Sequence, residues 1–204
     1  LNDDVGRVIE ECSKRIDSGG IVVFLPSYGE MIAYHNSWQK SGLFERIGLP
    51  FARENRGEGK LKSMLVNFSS HNKKSIVLIS HRFHQNVHFA DYVLSSSARV
   101  VISVGLPYPF TNETWTARTK RNDEVCLRDT RRLNGGNLYK YRAIEFMNGV
   151  VRKCLDEFRY QDCAFFILDK AMSNERNKLT QEMGDVQVES FGDCMKRFDA
   201  FCRI

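Results

Sequence analysis

Gly19-Gly20-Ile21-Val22-Val23-Phe24-Leu25-Pro26-Ser27-Tyr28 and Ala98-Arg99-Val100-Val101-Ile102-Ser103-Val104-Gly105-Leu106-Pro107-Tyr108-Pro109 are the two stretches that decide the fold of this chain. Each is a short, β-branched apolar run that ends in small, turn-forming and polar residues. A continuous apolar run is what a strand buried on both faces requires. The polar ending marks a carboxyl terminus that opens onto a functional edge, because ligands of open α/β sheets bind outside those termini.

The pattern extends outward from these runs. Val5, Val8, Ile9, Cys12 and Ile16 recur at helical spacing, and Gly19-Gly20 ends that helix. A second helix, from about Gly29 to Lys40, carries Met31, Ile32, Tyr34 and Trp38 and breaks at Ser41-Gly42. Phe44 to Glu54 is expected to be a short edge segment, and Arg53 to Lys60 a polar loop. Leu61, Met64, Leu65 and Phe68 mark another amphipathic helix. Ile76 to Ile79, Arg99 to Val104 and Ala164 to Leu168 read as further buried strands. From Phe110 to Gly136 the chain is polar, with five arginines and one lysine, and Asn134-Gly135-Gly136-Asn137 reads as a flexible turn. Tyr139 to about Phe158 is helical, residues 170–188 are irregular, and a last helix carries Phe191, Met195, Phe198 and Phe201. Strands alternating with helices predict a three-layer α/β/α domain with a mostly parallel sheet, one domain over residues 1–204.

Composition bounds the function classes. The 204 residues are 42% hydrophobic and 27% charged, ordinary for a globular domain. The net charge of +5 is consistent with nucleic-acid contact without establishing it. The six cysteines contain no CxxC pair, so a reduced chain is expected. The apolar runs are far shorter than the roughly 20 residues needed to span a bilayer, so no membrane partner is expected. The chain begins at Leu1 and enters a helical pattern at once, which suggests a piece of a longer protein.

Four groups invite a chemical reading. His81, His84 and His88 have spacing that suits metal ligation from one helix face, but no acidic or cysteine ligand clusters with them, and no metal site is assigned. Ser27 and Tyr28 close the first strand: their hydroxyls suit phosphate contacts, and Ser27 equally suits a helix cap. Arg118, Lys120, Arg121, Arg128, Arg131 and Arg132 form a basic run, interleaved with Glu113, Asp123, Glu124 and Asp129, that fits either phosphate binding or a solvated loop. Cys154 and Cys163 have no histidine nearby in sequence and read as core rather than as nucleophiles.

With the strands placed, the chain resembles the second RecA-like motor domain of XPD-like superfamily 2 DNA helicases, above all the branch linked to sister-chromatid cohesion. Gly19 to Tyr28 is similar to the family's strand ending in a Phe-Phe-x-Ser-Tyr type motif, and Trp38-Gln39-Lys40-Ser41-Gly42-Leu43 to that branch's helix end. Ala98 to Pro109 resembles the Arg-x-Val-x-x-x-Gly-Leu-Pro-Tyr-Pro block, and Phe165-Phe166-Ile167-Leu168-Asp169 the strand after the last motor motif. Phe191-Gly192 before a helix also fits, so the likeness runs from about residue 18 onward. In such motors ATP, with its magnesium, lies between two lobes and is held mainly by the first, which carries the phosphate loop. No GxxxxGK[ST] occurs in this chain. The family's iron–sulfur cysteines likewise belong outside this lobe. The resemblance implies a first RecA-like domain and DNA as partners, nuclear protein partners, and a nuclear location.

Two motifs depart from the family. Its coupling loop runs approximately Gly-Lys-x-Ser-Glu-Gly-Ile-Asp-Phe; the matching stretch here is His81-Arg82-Phe83-His84-Gln85-Asn86-Val87-His88-Phe89. Only Phe89 and a basic residue, Arg82, are kept, and Asn86 replaces a glycine that gives a tight loop its backbone freedom. The family's arginine-finger helix reads Asn-Gln-x-x-Gly-Arg-x-x-Arg. One register places Asn148 on the Asn, Lys153 on the first Arg and Asp156 on the second; sliding by three pairs Gly149 with the Gly, Val150 with the first Arg and Lys153 with the second. Arginine fingers are worth on the order of 10³ to 10⁵ in rate, and lysine keeps the charge without the planar fork. The resemblance therefore implies Lys153 or Arg152 as the remaining phosphate-facing cation, Gln85 and Asn148 at nucleotide-side positions, and Ser27, Tyr28, Arg82 and His84 along the DNA track. It implies a catalytically degenerate motor lobe, or alternatively a non-enzymatic scaffold or DNA-binding module in a nuclear repair or cohesion assembly.

Overall fold

The computed structural model describes residues 2–55, 74–80, 98–108, 113–129, 133–157, 163–169 and 190–203, with 150–157 given as backbone. In chain order these form α1 (Asn2–Arg15), β1 (Gly20–Leu25), α2 (Tyr28–Lys40), α3 (Leu43–Ile47), β2 (Phe51–Arg53), β3 (Ile76–Ser80), β4 (Ala98–Val104), α4 (Glu113–Arg128), α5 (Gly135–Glu157), β5 (Ala164–Leu168) and α6 (Phe191–Cys202). The amphipathic helix expected near Leu61, the segment 170–188, and Arg82, His84 and Gln85 lie outside the described residues.

The five strands form one parallel sheet in the order β2-β3-β1-β4-β5. β1 lies at its centre, with every residue buried, which is why its sequence is apolar without alternation. Side chains of successive strand residues leave opposite faces. Ile21, Val23 and Leu25, with Ile76, Leu78, Val100, Ile102 and Phe166, join the core formed with α1, α2 and α6. On the opposite face Phe165 and Ile167 pack against Leu106 and against Ala143 and Met147 of α5. Helices thus cover both faces, and the three-layer α/β/α expectation holds.

The first and last helices are tied together. Arg15 of α1 pairs with Asp199 of α6, Arg7 lies 4.6 Å over the Phe191 ring, and Arg99 at the start of β4 lies 4.6 Å over Phe201. Cys12 is wholly buried in this seam, and burial pushes its thiol far above the usual range, so it packs as a small apolar group. Burial likewise pushes Cys163 up to about 12.

Three expectations are corrected. The edge segment from Phe44 splits into a short helix, α3, and a three-residue strand, β2, which does form the sheet edge. The polar stretch, whose basic run fits a solvated loop as one of its two readings, holds a 16-residue helix, α4. This helix packs against α5 and buries none of its residues fully, so it needs no apolar stripe of the usual strength. The turn at Asn134 to Asn137 is the start of α5. Asn134 Oδ1 accepts from the Asn137 backbone N–H at 2.8 Å, satisfying a donor that a helix start leaves open.

Candidate functional site

The carboxyl ends of the central strands lie level with one another. Leu25 pairs with Ser80, Phe24 with Ser103, and Val104 with Leu168. Beyond them three strand exits converge on Gly105. Its N–H donates to the Leu168 carbonyl at 3.1 Å. Its φ of +73° is left-handed, and a Cβ there would sit 3.5 Å from Pro26 Cγ and 4.0 Å from Asp169 Oδ2. The Ser103 hydroxyl donates to the Gly105 carbonyl at 3.1 Å, which fixes the turn from below.

Ser27 caps α2. Its Oγ accepts from the Glu30 N–H at 3.1 Å, the N-cap bond, and donates to Glu30 Oε2 at 3.0 Å. The cap half of the two readings of Ser27 is therefore observed. Glu30 already places a carboxylate where a helix start attracts an anion, so a phosphate at Ser27 would meet a like charge. Tyr28 is half-buried and packs against the main core, which leaves only part of its ring to a ligand.

α5 runs back along the sheet from this rim. Tyr139 stacks on Tyr108, Ala143 and Met147 pack against Leu106, and Met147 Sδ lies 3.6 Å from Ser103 Oγ. Asn148, half-buried, directly follows Met147. Arg152 and Lys153 come four and five residues later in the backbone of the same helix, about 6 to 8 Å further along its axis at 1.5 Å per residue. Ser27 and Tyr28 thus lie at the exit of β1, and Asn148, Arg152 and Lys153 lie further along the backbone of α5.

The sequence reading passed over two features. Glu54, directly after β2, is 2% exposed; its Oε2 accepts from the Ser80 N–H at 2.7 Å and from the Ser80 hydroxyl at 2.8 Å. Burial pushes its carboxyl up, and the two Ser80 hydrogen bonds pull partly the other way. Nothing in the local run Arg53-Glu54-Asn55 signals this. The second feature is a ring cluster of Tyr108, Tyr139 and Trp115 beyond β4. Tyr108 had a signal in the Gly-Leu-Pro-Tyr-Pro block; its partners had none. Among the described residues no group of three or more His, Cys, Asp or Glu could hold a metal ion, and no helix is long and apolar enough to cross a membrane.

This rim, built on a parallel sheet with left-handed Gly105 at the exit of β4, coincides with a family match. The family model for the helicase C-terminal domain matches residues 9–185. The chain belongs to the helicase C-terminal domain family. It is 25% identical over 191 residues to the ATP-dependent DNA helicase chl-1 of Caenorhabditis elegans, covering 89% of this chain and 22% of that protein. It is 22% identical over 201 residues to a regulator of telomere elongation helicase 1 homolog of Culex quinquefasciatus, covering 91% of this chain and 20% of the relative. The chain thus spans about a fifth of the length of these curated relatives. A solved XPD helicase superimposes with a TM-score of 0.52 at 18% identity, over 91% of this chain and 31% of that one. The C-terminal domain of yeast Dbp5, solved with Gle1 and IP6, gives 0.52 at 10% identity, over 100% and 94%. Both neighbours bear out the RecA-like helicase C-terminal fold, and the DNA-helicase relatives bear out the XPD-like resemblance.

Proposed function

We propose that residues 1–204 act as one unit, the second RecA-like lobe of an ATP-dependent DNA helicase of the nucleus, with its coupling machinery degenerate. The observation that carries this reading is the helicase C-terminal match over residues 9–185 together with the rim around Gly105. The lobe closes one side of an ATP cleft whose phosphate loop and magnesium belong to a first lobe. Asn148 of α5 meets the nucleotide side. Lys153 or Arg152 supplies the phosphate-facing cation, which places the cleft along the flank of α5. A single strand of DNA passes the sheet's carboxyl edge, touching Ser27, Tyr28, Arg82 and His84, with Gln85 at the coupling position.

Degeneracy follows from charge. In one register an aspartate, Asp156, stands where a finger arginine would neutralise the transferring phosphoryl group; in the other Val150 offers no charge there. These substitutions favour a second reading, in which the lobe serves as a scaffold or DNA-binding module within a nuclear repair or cohesion assembly and hydrolyses nothing.

DNA-stimulated ATP turnover by the protein carrying this lobe together with its first RecA-like lobe separates the two. Under the leading reading turnover is measurable and well below that of an intact motor, and Lys153→Ala lowers it further. Turnover equal to an intact motor would reject degeneracy, whereas none at all with DNA binding retained would favour the scaffold. Turnover unchanged by Lys153→Ala would reject the finger assignment.

A further inference from the structure

Three aromatic rings meet just past the end of β4. Tyr108 stacks on Tyr139 with centroids 5.0 Å apart and planes 10° apart. Trp115 of α4 tilts against Tyr139 at 5.9 Å and 49°. Tyr108 remains 38% exposed. We propose that Tyr108 is a stacking platform for a base of single-stranded DNA, a deepening that rests on the helicase-lobe reading.

A lone exposed tyrosine needs no explanation. This one differs because its ring is held before any ligand arrives. Tyr139 backs it and Trp115 braces Tyr139. The backbone holds it too: the Tyr108 N–H donates to the Leu106 carbonyl at 2.8 Å, and Pro107 between them fixes its own φ. Ordering the ring in advance removes the side-chain entropy that binding would otherwise cost. The position is right as well, outside the carboxyl ends where ligands of such sheets bind.

The charge beside the rings selects the partner. Arg118 is exposed and lies one turn along α4 from Trp115, on a neighbouring part of the same helix surface, and Lys120 and Arg121 follow, both exposed. Of the acids on that helix, Asp123 is engaged, its Oδ1 accepting from the Gly135 N–H at 2.7 Å, while Glu113 at the first turn and Glu124 are exposed, so the cations outnumber the two acids left on the surface. An exposed, braced ring beside guanidinium groups is the composition that binds single strands, stacking a base while cations meet the backbone. Stacking is indifferent to base identity, so the platform would grip a moving strand without reading it.

The test compares a fluorescent oligothymidine with an abasic oligomer of equal length, which keeps the phosphates and lacks the bases, on the protein carrying this lobe. The wild-type protein is expected to prefer the base-bearing strand. Tyr108→Ala and Tyr108→Leu should lose about tenfold or more on that strand and little on the abasic one. Tyr108→Phe should keep the preference, because the ring is retained. The dependence of log K on log salt should stay as in the wild type, since no phosphate contact is removed. Tyr108→Leu keeps apolar bulk over Tyr139, so it separates loss of stacking from loss of folding. Leucine and alanine variants that discriminate like the wild type, or a wild-type protein that binds both strands equally, would overturn the platform. A wild-type protein that binds neither strand would instead overturn the DNA-helicase reading beneath it.

Discussion

Glu54 Oε2 accepts two hydrogen bonds from one residue, Ser80, at 2.7 Å from its backbone N–H and 2.8 Å from its hydroxyl. The two residues close β2 and β3 at the sheet edge, where Glu54 also donates its own N–H to the Leu78 carbonyl at 2.9 Å. The sheet therefore ends in a buried carboxylate that takes the place of a further ladder rung.

Removing that acceptor strands two buried donors. Glu54→Ala should destabilise the fold by about 1–3 kcal/mol, read by urea denaturation. Glu54→Gln retains an acceptor and should cost less. The pH dependence has a definite sign. Burial holds the folded carboxyl above its ordinary value near 4.5. A raised folded value means its stabilising contribution is complete below the unfolded value and is lost as pH rises through the folded one. Wild-type stability relative to Glu54→Gln should therefore fall from about pH 4.5 upward. A difference that is flat with pH, or that grows, would contradict this.

Gly105 holds φ at +73°. Gly105→Ala should cost about 1–2 kcal/mol from backbone conformation alone, because the nearest atom to the new Cβ, Pro26 Cγ at 3.5 Å, is an ordinary contact. Gly105→Asn should cost less, since asparagine visits the left-handed region more readily. Equal melting temperatures for glycine and alanine would show that the turn relaxes freely.

α4 and α5 approach closely at Gly135, where a Cβ would come within 2.7 Å of the Thr119 carbonyl. Gly135→Ala should force the helices apart, lose about 1–3 kcal/mol, and change the Trp115 emission that reports the Tyr139 contact. Gly149, on the same helix, has nothing within 4 Å. Gly149→Ala should instead stabilise by up to about 1 kcal/mol through helix propensity. Reversal of the two signs in thermal melts would refute the packing account.

Ser27 separates capping from strand contact. Ser27→Ala should lose about 1 kcal/mol with the cap. Ser27→Asp keeps a capping acceptor but sets a second carboxylate beside Glu30, so it should recover only part of that stability, while its added negative charge should weaken single-strand binding. If the aspartate variant binds DNA as tightly as the wild type, Ser27 does not face the strand.

The sequence by itself determined which segments are central strands and in what class of sheet they lie. Ile21–Leu25, Ile76–Ile79 and Ala164–Leu168 are apolar over their whole length, and Arg99–Val104 breaks the run only at Arg99 and Ser103; that pattern is local, because a strand covered on both faces has few polar positions to spare. It also carried the motifs on which the family resemblance rests. Only the tertiary structure decided the rest, because each remaining feature depends on a partner distant along the chain. Glu54 sits in a run that reads as solvated loop, and parallel pairing of β2 with β3 buries it against a residue 26 positions away. α4 has a loop's composition and is helical because α5 gives it a surface to lie on. Tyr108 becomes an ordered ring only where α5 brings Tyr139 beneath it. Backbone periodicity can be written into neighbouring residues, but the burial of a charge and the bracing of a ring belong to contacts that exist only after the chain has closed.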